Sequence, residues 1–122
     1  MAELDRILGE AEEAHRGITK AVKTADDGTV RDVVRLRTRL ATLIAEMMGA
    51  IKADSRLQAK TELAREFDAK FFEMRQALGQ HQGKWRSADI QEDPVGYGHS
   101  TEELGRKLDD FFAWTRGALA GL

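Results

Sequence analysis

The amino-acid sequence predicts an all-α fold, namely an up-down-up-down antiparallel four-helix bundle. Two observations lead to this prediction. Apolar residues recur every three or four positions in four long stretches, which is the spacing of a helix with one buried face. The stretches are joined by short connections, which suit helices that run antiparallel to their neighbours. With 122 residues the chain is long enough for one domain, residues 1–122, with a core of its own.

The first helix is predicted over residues 2–25. Its apolar stripe has helical spacing and consists of Leu4, Ile7, Leu8, Ala11, Ala14, His15, Ile18, Ala21, Val22 and Ala25. Residues 26–29 are the predicted turn, in which Gly28 permits backbone conformations that other residues resist. Thr29 is the predicted N-cap of the next helix.

The second helix is predicted over residues 30–57. Its buried face consists of Val33, Leu36, Leu40, Leu43, Ile44, Met47 and Ile51, widened by Val34 and Met48. No glycine or proline marks its end. The break before the third helix is therefore predicted within residues 57–61, with Thr61 as the next N-cap and Glu62 in the first turn.

The third helix carries the most aromatic stripe and is predicted to end at residue 85 or 86. The stripe consists of Leu63, Phe67, Phe71, Met74, Leu78, His81 and Trp85. Polar and charged residues fill most positions between them. Such a helix needs other helices to cover its aromatic face, because packing rather than local propensity stabilises it.

The fourth helix follows a short connecting turn over residues 87–90 and has two candidate starts. Asp93 followed by Pro94 is typical of an N-cap with proline at the first helical position. The stretch from Ser100 to Glu103 is typical of a capping box. Tyr97 is predicted to pack at or before the start of this helix. From either start the helix turns the same residues inward, namely Leu104, Leu108, Phe111, Phe112, Ala118 and Leu119.

Composition and motif content argue against several classes of function. The chain has no cysteine, which excludes disulfides and thiolate chemistry and fits a cytoplasmic location. A net charge of −2 does not favour nucleic-acid binding, and no apolar run is long enough to span a membrane. The acidic, amphipathic start of the chain is not a signal peptide. No phosphate loop, nucleophile elbow or paired-carboxylate motif is present, so we expect no enzyme and no cofactor.

Parts of the chain resemble the hemerythrin-like, or HHE cation-binding, domains. Residues 13–18 (EAHRGI) are similar to the family's first-helix segment, in which a histidine precedes an isoleucine by three residues. Residues 49–58 (GAIKADSRLQ) lie where the family carries His-x-x-x-Glu-Asp-x-x-Leu-Tyr. The stretch over residues 84–97 is similar to a bridge in some bacterial members. The resemblance implies a four-helix scaffold built to hold paired iron.

The same resemblance implies that this chain has lost the metal centre. Gly49 stands in place of a histidine ligand, and Ala53 stands in place of a bridging glutamate. A paired-iron site needs several imidazoles and bridging carboxylates that point into the bundle. We therefore expect a metal-free scaffold that works through protein contacts rather than through chemistry.

His15 and His81 have two interpretations, since each lies on the apolar stripe of its helix. They are either partly buried histidines satisfied by neighbours or ligands of a small molecule or a reduced metal site. One turn from His81 the chain offers only Ala77 and Trp85, neither of which binds a metal. The first interpretation is favoured, and a small-ligand or residual metal-binding bundle is the alternative function.

A basic stretch is the first candidate for a protein contact. Residues 16–39 hold seven bases against three acids, and a hairpin of the first two helices gathers them at its turn. Arg31 and Arg35 are the candidate residues. This end is either a docking patch for an acidic protein or an anionic ligand, or a solvated end balanced by acids of the fourth helix.

Phe72 is the second candidate for a protein contact. Its own row on the helix is polar, because Asp68, Arg75 and Gln76 flank it. A phenylalanine on a polar row is typical of an exposed contact residue. We expect a homodimer or a protein partner that contacts Phe72, with Phe112 of the adjacent pair 111–112 as a further candidate. The alternative is a wide apolar stripe that buries both members of each such pair.

Overall fold

The structure is a computed structural model that describes residues 3–24 and 29–122. Six helices and no strand are formed by these residues: α1 (Glu3–Thr24), α2 (Thr29–Ala53), α3 (Ser55–Gln58), α4 (Thr61–Lys84), α5 (Ser87–Glu92) and α6 (Pro94–Ala120). The predicted all-α class is confirmed. No helix in the described ranges has the length and apolar character that crossing a membrane requires.

Some predicted features lie outside the described part of the chain. They are residues 26–28 of the predicted turn, the ends of the first helix at Ala2 and Ala25, and capping by the Thr29 side chain.

The four long helices cover one another's apolar faces. α1 packs against α2 and α6, and α4 packs against the same two helices. Contacts between α1 and α6 run in opposite order along the chain, since Glu12 pairs with Arg116 and His15 with Asp109. One shared core results, and its members include many residues of the predicted stripes: Leu4, Ile7, Ala11, Leu40, Met47, Ile51, Phe67, Phe71, Met74, Leu78, Leu108 and Phe111.

The short helix α5 covers one end of this core. A second buried cluster there consists of Val33, Trp85, Ile90 and Tyr97. Residues 87–90 therefore form part of a helix, and the predicted connecting turn is wrong. The burial of Ile90 explains the difference, because a helical turn carries that side chain back onto Trp85 and Tyr97.

The second predicted helix is in fact two helices. α2 ends at Ala53, and Asp54 caps α3 by accepting hydrogen bonds from the backbone N–H groups of Arg56 and Leu57. Aspartate interrupts a helix in this way because its side chain competes for backbone donors, so neither glycine nor proline is needed. The predicted break within residues 57–61 is present between α3 and α4, but the earlier break at Asp54 was not predicted.

Two predicted helix starts are also resolved. Thr61 is the first residue of α4 rather than its N-cap, a position that Lys60 takes without a side-chain hydrogen bond. The start at Asp93 is confirmed, because its Oδ1 accepts a hydrogen bond of 2.9 Å from the Gly96 backbone N–H. The competing start at Ser100 is wrong, since that residue lies inside α6.

Candidate functional site

A small cavity lies between α1, α2, α4 and α6, and both candidate histidines form part of its wall. Its volume is about 20 Å³, which is room for about one water molecule. We call it the central cavity, and its polar wall residues are His15, Arg37, His81, Gln82, Tyr97 and Thr101. The rest of the wall is aliphatic or glycine. The folded chain thus brings together two histidines that are far apart in the sequence.

His15 is buried and satisfied by a neighbour. Its Nε2 atom lies 2.9 Å from Oδ1 of Asp109 on α6, and its ring stands 6.1 Å from that of Phe112. This buried imidazole therefore has a hydrogen-bond partner on another helix. Sequence reasoning missed Asp109, because only the packing of α1 on α6 connects the two residues.

His81 differs from His15, because its Nε2 atom is buried without a hydrogen-bond partner among the described residues. Burial, together with the positive charges of Arg37 and Lys84, lowers the pKa of His81 from 6.5 to about 4. The ring is therefore neutral near pH 7. Its centroid lies 5.5 Å from that of Tyr97. The prediction that neighbours satisfy this histidine is wrong for Nε2.

Arg37 brings a positive charge to the same cavity. Its Nη2 atom donates a hydrogen bond of 3.1 Å to the backbone oxygen of Gln82, and its Cζ atom lies 6.0 Å from the centre of the Tyr97 ring. Its Nε atom is buried without a partner in the described part of the chain. None of the ion pairs between described residues involves Arg37.

Two further polar atoms near Tyr97 also lack a partner within residues 3–24 and 29–122. They are Nε1 of Trp85, whose ring packs edge-on against Tyr97, and Oγ1 of Thr101. Burial raises the pKa of the Tyr97 phenol, and the nearby Thr101 hydroxyl opposes that rise although it meets no partner in normal hydrogen-bond geometry. Together with Arg37 Nε and His81 Nε2, these two atoms bring to four the polar atoms in this part of the molecule that are unpaired among the described residues.

The donor set does not resemble a metal centre. The described residues contain no group of three or more histidine, cysteine, aspartate or glutamate side chains placed to hold a metal ion. Gly49 and Ala53, which the resemblance aligns with ligand positions, are both exposed on α2. Neither position forms part of the wall of the central cavity.

Comparisons with known proteins add no relative from which a role could be transferred. No family model, curated protein or solved structure matches the chain. The hemerythrin-like resemblance therefore rests only on the sequence stretches that suggested it. Any role for the chain has to be inferred from its own residues.

Phe72 is the exposed candidate for a surface contact. Its side chain is 60% exposed, as its polar row predicts. The residues that flank it on this row, Asp68, Arg75 and Gln76, are exposed as well. The phenylalanine therefore stands on the surface among polar side chains.

The other surface candidates divide into buried and exposed residues. Phe112 is only 1% exposed and packs against His15 and Phe111, so the prediction that it reaches a surface contact is wrong. Both members of the pair 111–112 are buried, as the wide-stripe alternative predicted. Arg31 and Arg35 are exposed on α2.

Proposed function

We propose that this chain works through contacts with another protein and not through catalysis. The observation that carries the proposal is Phe72, whose side chain is 60% exposed while Phe67 and Phe71 of the same helix are buried. Exposing a phenylalanine to water is unfavourable, and large exposed apolar groups commonly mark an interface. Aromatic residues also tend to dominate the binding energy of such interfaces.

The neighbouring face of α2 carries several small residues. Its exposed residues include Ala41, Ala45 and Gly49, which are four positions apart and so share one side of the helix. The hydroxyls of Thr38 and Thr42 donate to backbone carbonyls one turn earlier in α2, each at 3.1 Å. Because these hydroxyls are already bonded, a partner can approach the strip without stripping them of water.

A contact between α4 and α2 lies close to both Phe72 and this strip. Nη1 of Arg75 on α4 donates to Sδ of Met48 on α2 at 3.6 Å. Phe72 lies one turn before Arg75, so both point to the α2 side of α4. We call the surface formed by Phe72 and the exposed small residues of α2 the contact face. An aromatic anchor beside a strip of small residues is a suitable interface centre.

We infer that the scaffold is the up-down-up-down bundle, of hemerythrin-like type without its metal centre, in the cytoplasm. Opposite chain order between α1 and α6 supports this inference. The same opposite order joins α2 to α4, where Arg37 bonds to Gln82 and Arg75 to Met48. In such a scaffold the helices provide a rigid surface for the contact face.

A second copy of the chain is one partner that the contact face could bind, and self-association tests this directly. Sedimentation velocity over a wide concentration range is expected to reveal a dimer that Phe72→Glu converts to monomer. The matched control is Ala113→Glu, which adds the same charge to an exposed position of α6, a helix that does not pack against α2. Wild-type protein that stays monomeric at millimolar concentration would overturn the homodimer. An unfolded Phe72→Glu variant would mean that Phe72 belongs to the core.

A second candidate function is the binding of a small ligand or a residual metal at His15 and His81. The observation that favours it is that both residues form part of the wall of the central cavity. Elemental analysis and a visible spectrum of protein purified without a histidine tag test the metal form. Two irons per chain would overturn the metal-free scaffold as well.

A further inference from the structure

We propose that the central cavity is a binding site for one small monovalent anion of about the size of chloride, held by Arg37, His81 and Thr101. The proposal rests on the second candidate function and names its ligand class. It is independent of the contact face, which lies on the outer surface of α2 and α4.

The charge of the cavity wall favours an anion. Arg37 carries a permanent positive charge, and the described residues place no aspartate or glutamate in the wall. A cation that is partly removed from water needs a counter-charge, because the surroundings screen it poorly. Since no ion pair between described residues supplies one, a bound anion is the simplest source. A metal cation would be repelled by the same charge.

The free donors of the wall also favour an anion. Three buried polar atoms there have no partner in the described residues, namely Nε of Arg37, Nε2 of His81 and Oγ1 of Thr101. They belong to α2, α4 and α6, three of the helices that contribute to the cavity wall. Arginine Nε can only donate, and a neutral histidine donates from Nε2 in one of its two tautomers. A halide can accept hydrogen bonds from several donors of this kind.

The size of the cavity limits the anion. About 20 Å³ of free space suits one atom or one water molecule and favours a single-atom anion over sulfate, phosphate or a carboxylic acid of several carbons. Water is the competing occupant. It can bridge two or three of the free atoms, but it does not offset the charge of Arg37. Occupancy by water is therefore independent of the halide concentration, whereas occupancy by an anion rises with it.

The anion also changes the behaviour of His81. The titratable groups around this ring are Arg37 from α2, Lys84 from α4 and Tyr97 from α6, and His15 of α1, which is bonded to Asp109, lies in the same cavity wall. Burial lowers the pKa of His81, and the positive charges of Arg37 and Lys84 lower it further. A negative ion beside Nε2 favours the imidazolium, so halide binding is expected to raise the pKa of His81. By linkage, affinity for the halide is expected to rise as the pH falls from 7 toward 5.

The test is a halide titration of the full chain at constant ionic strength. Sodium gluconate is replaced stepwise by sodium chloride or bromide, and the melting temperature is followed together with the NMR pKa of the His81 ring. A saturable rise in both is expected with halide. Sodium sulfate at the same ionic strength should give neither. Identical curves in chloride, gluconate and sulfate would overturn the proposal.

Two variants and one control assign the response to the cavity. Arg37→Gln should remove it, and Thr101→Val should weaken the apparent halide affinity at least tenfold while keeping the side-chain volume. Arg35→Gln removes the same charge from an exposed position of α2 and should leave the response unchanged. A full response in Arg37→Gln would place the halide elsewhere and refute the site. If Arg37→Gln fails to fold, the proposal is still tested by the wild-type titration and by Thr101→Val, in which an unchanged halide affinity would refute the site.

Crystals soaked in bromide give a direct answer. An anomalous peak within hydrogen-bond distance of Arg37 Nε is expected, and a cavity that holds only water would refute the proposal. Phe72→Glu should keep the full halide response. Failure of the anion site therefore leaves the contact face standing. Iron or zinc found in place of a halide would refute the anion and favour the metal form of the second candidate.

Discussion

Nε2 of His15 on α1 lies 2.9 Å from Oδ1 of Asp109 on α6, and the two side chains are 5% and 71% exposed. A buried ring is thus bonded to a carboxylate that keeps most of its water. This arrangement satisfies the histidine without desolvating the acid, whose burial would be costly. Together with the ion pair between Glu12 and Arg116 along the same two helices, it ties α1 to α6.

Replacing Asp109 tests this link. Asp109→Ala removes the partner of a buried imidazole nitrogen and should lower the free energy of unfolding by about 1–2 kcal/mol. Asp109→Asn keeps an oxygen acceptor and should lose less. Urea unfolding at pH 7 measures both, with Asp110→Ala as the control at an exposed neighbouring position. A loss in Asp110→Ala equal to that in Asp109→Ala would show that the bond to His15 contributes nothing.

His81 should make the protein less stable in acid. Its folded pKa of about 4 lies below its ordinary value of 6.5, because burial and the charges of Arg37 and Lys84 disfavour protonation. Between these two values the unfolded chain binds more protons than the folded one. The free energy of unfolding therefore falls as the pH drops from about 6.5 toward 4. Partial solvation limits this loss to roughly 1–2 kcal/mol.

The variant His81→Leu should flatten that part of the stability profile. Urea unfolding at half-unit pH steps from 7.5 to about 4, in gluconate buffer without halide, gives the slopes. His99→Gln serves as the control, because His99 is exposed. An unchanged slope in His81→Leu would mean that another group causes the acid sensitivity.

Asp54 should matter more than its place in a connection suggests. Its side chain caps α3 and pairs with Arg56, which also bonds to Asp5 of α1. We expect Asp54→Ala to cost about 2 kcal/mol and Asp54→Asn, which keeps the cap acceptor, to cost about half of that. The exposed Ser55→Ala is the control for urea unfolding. Equal losses in the alanine and asparagine variants would mean that the cap bonds contribute nothing.

The same aspartate has its own pH dependence. The hydrogen bond from the Arg56 side chain holds the pKa of Asp54 below its ordinary value of 3.8, and the backbone N–H of Leu57 adds to the effect against the opposing burial. The stabilising contribution is therefore present above pH 4 and lost as the pH falls through the lowered pKa. Wild type and Asp54→Ala should accordingly converge in stability once the pH falls below the lowered pKa of Asp54.

The sequence was sufficient for the fold class and the core but not for the polar contacts. Helical spacing predicts the burial of residues such as Phe67 and Met47 because packing selects for that spacing directly. The break at Asp54 carries no such signal, since neither glycine nor proline marks it. A cap formed by an ordinary aspartate depends on which backbone donors it reaches.

The candidate site was predicted only in part for a related reason. His15 and His81 stand out in the sequence because each is polar on an apolar stripe. Arg37 and Thr101 carry no such signal, since a charged residue beside a stripe and a threonine in a helix are both ordinary. Their meeting at one cavity depends on the register of α2 against α4 and α6. Helical periodicity does not specify that register.

The two phenylalanines Phe67 and Phe72 offer the sharpest comparison of buried and exposed positions. Both lie on α4, but Phe67 is fully buried with its ring 5.2 Å from that of Trp114, whereas Phe72 is 60% exposed. Phe67→Ala leaves a cavity and should cost about 3–5 kcal/mol of unfolding free energy. Phe72→Ala should change it by less than about 0.5 kcal/mol in dilute protein.

Measurements at several protein concentrations distinguish the effect of each variant on packing within the chain from its effect on association between chains. If copies of the chain bind through Phe72, association stabilises the folded state and the melting temperature of wild type rises with concentration. Phe72→Ala should abolish this rise. Phe67→Ala should lower the melting temperature at every concentration and keep the rise, because its contact face is intact. A loss above about 1.5 kcal/mol for Phe72→Ala in dilute protein would mean that the side chain packs within the chain, and the contact face would then have no anchor.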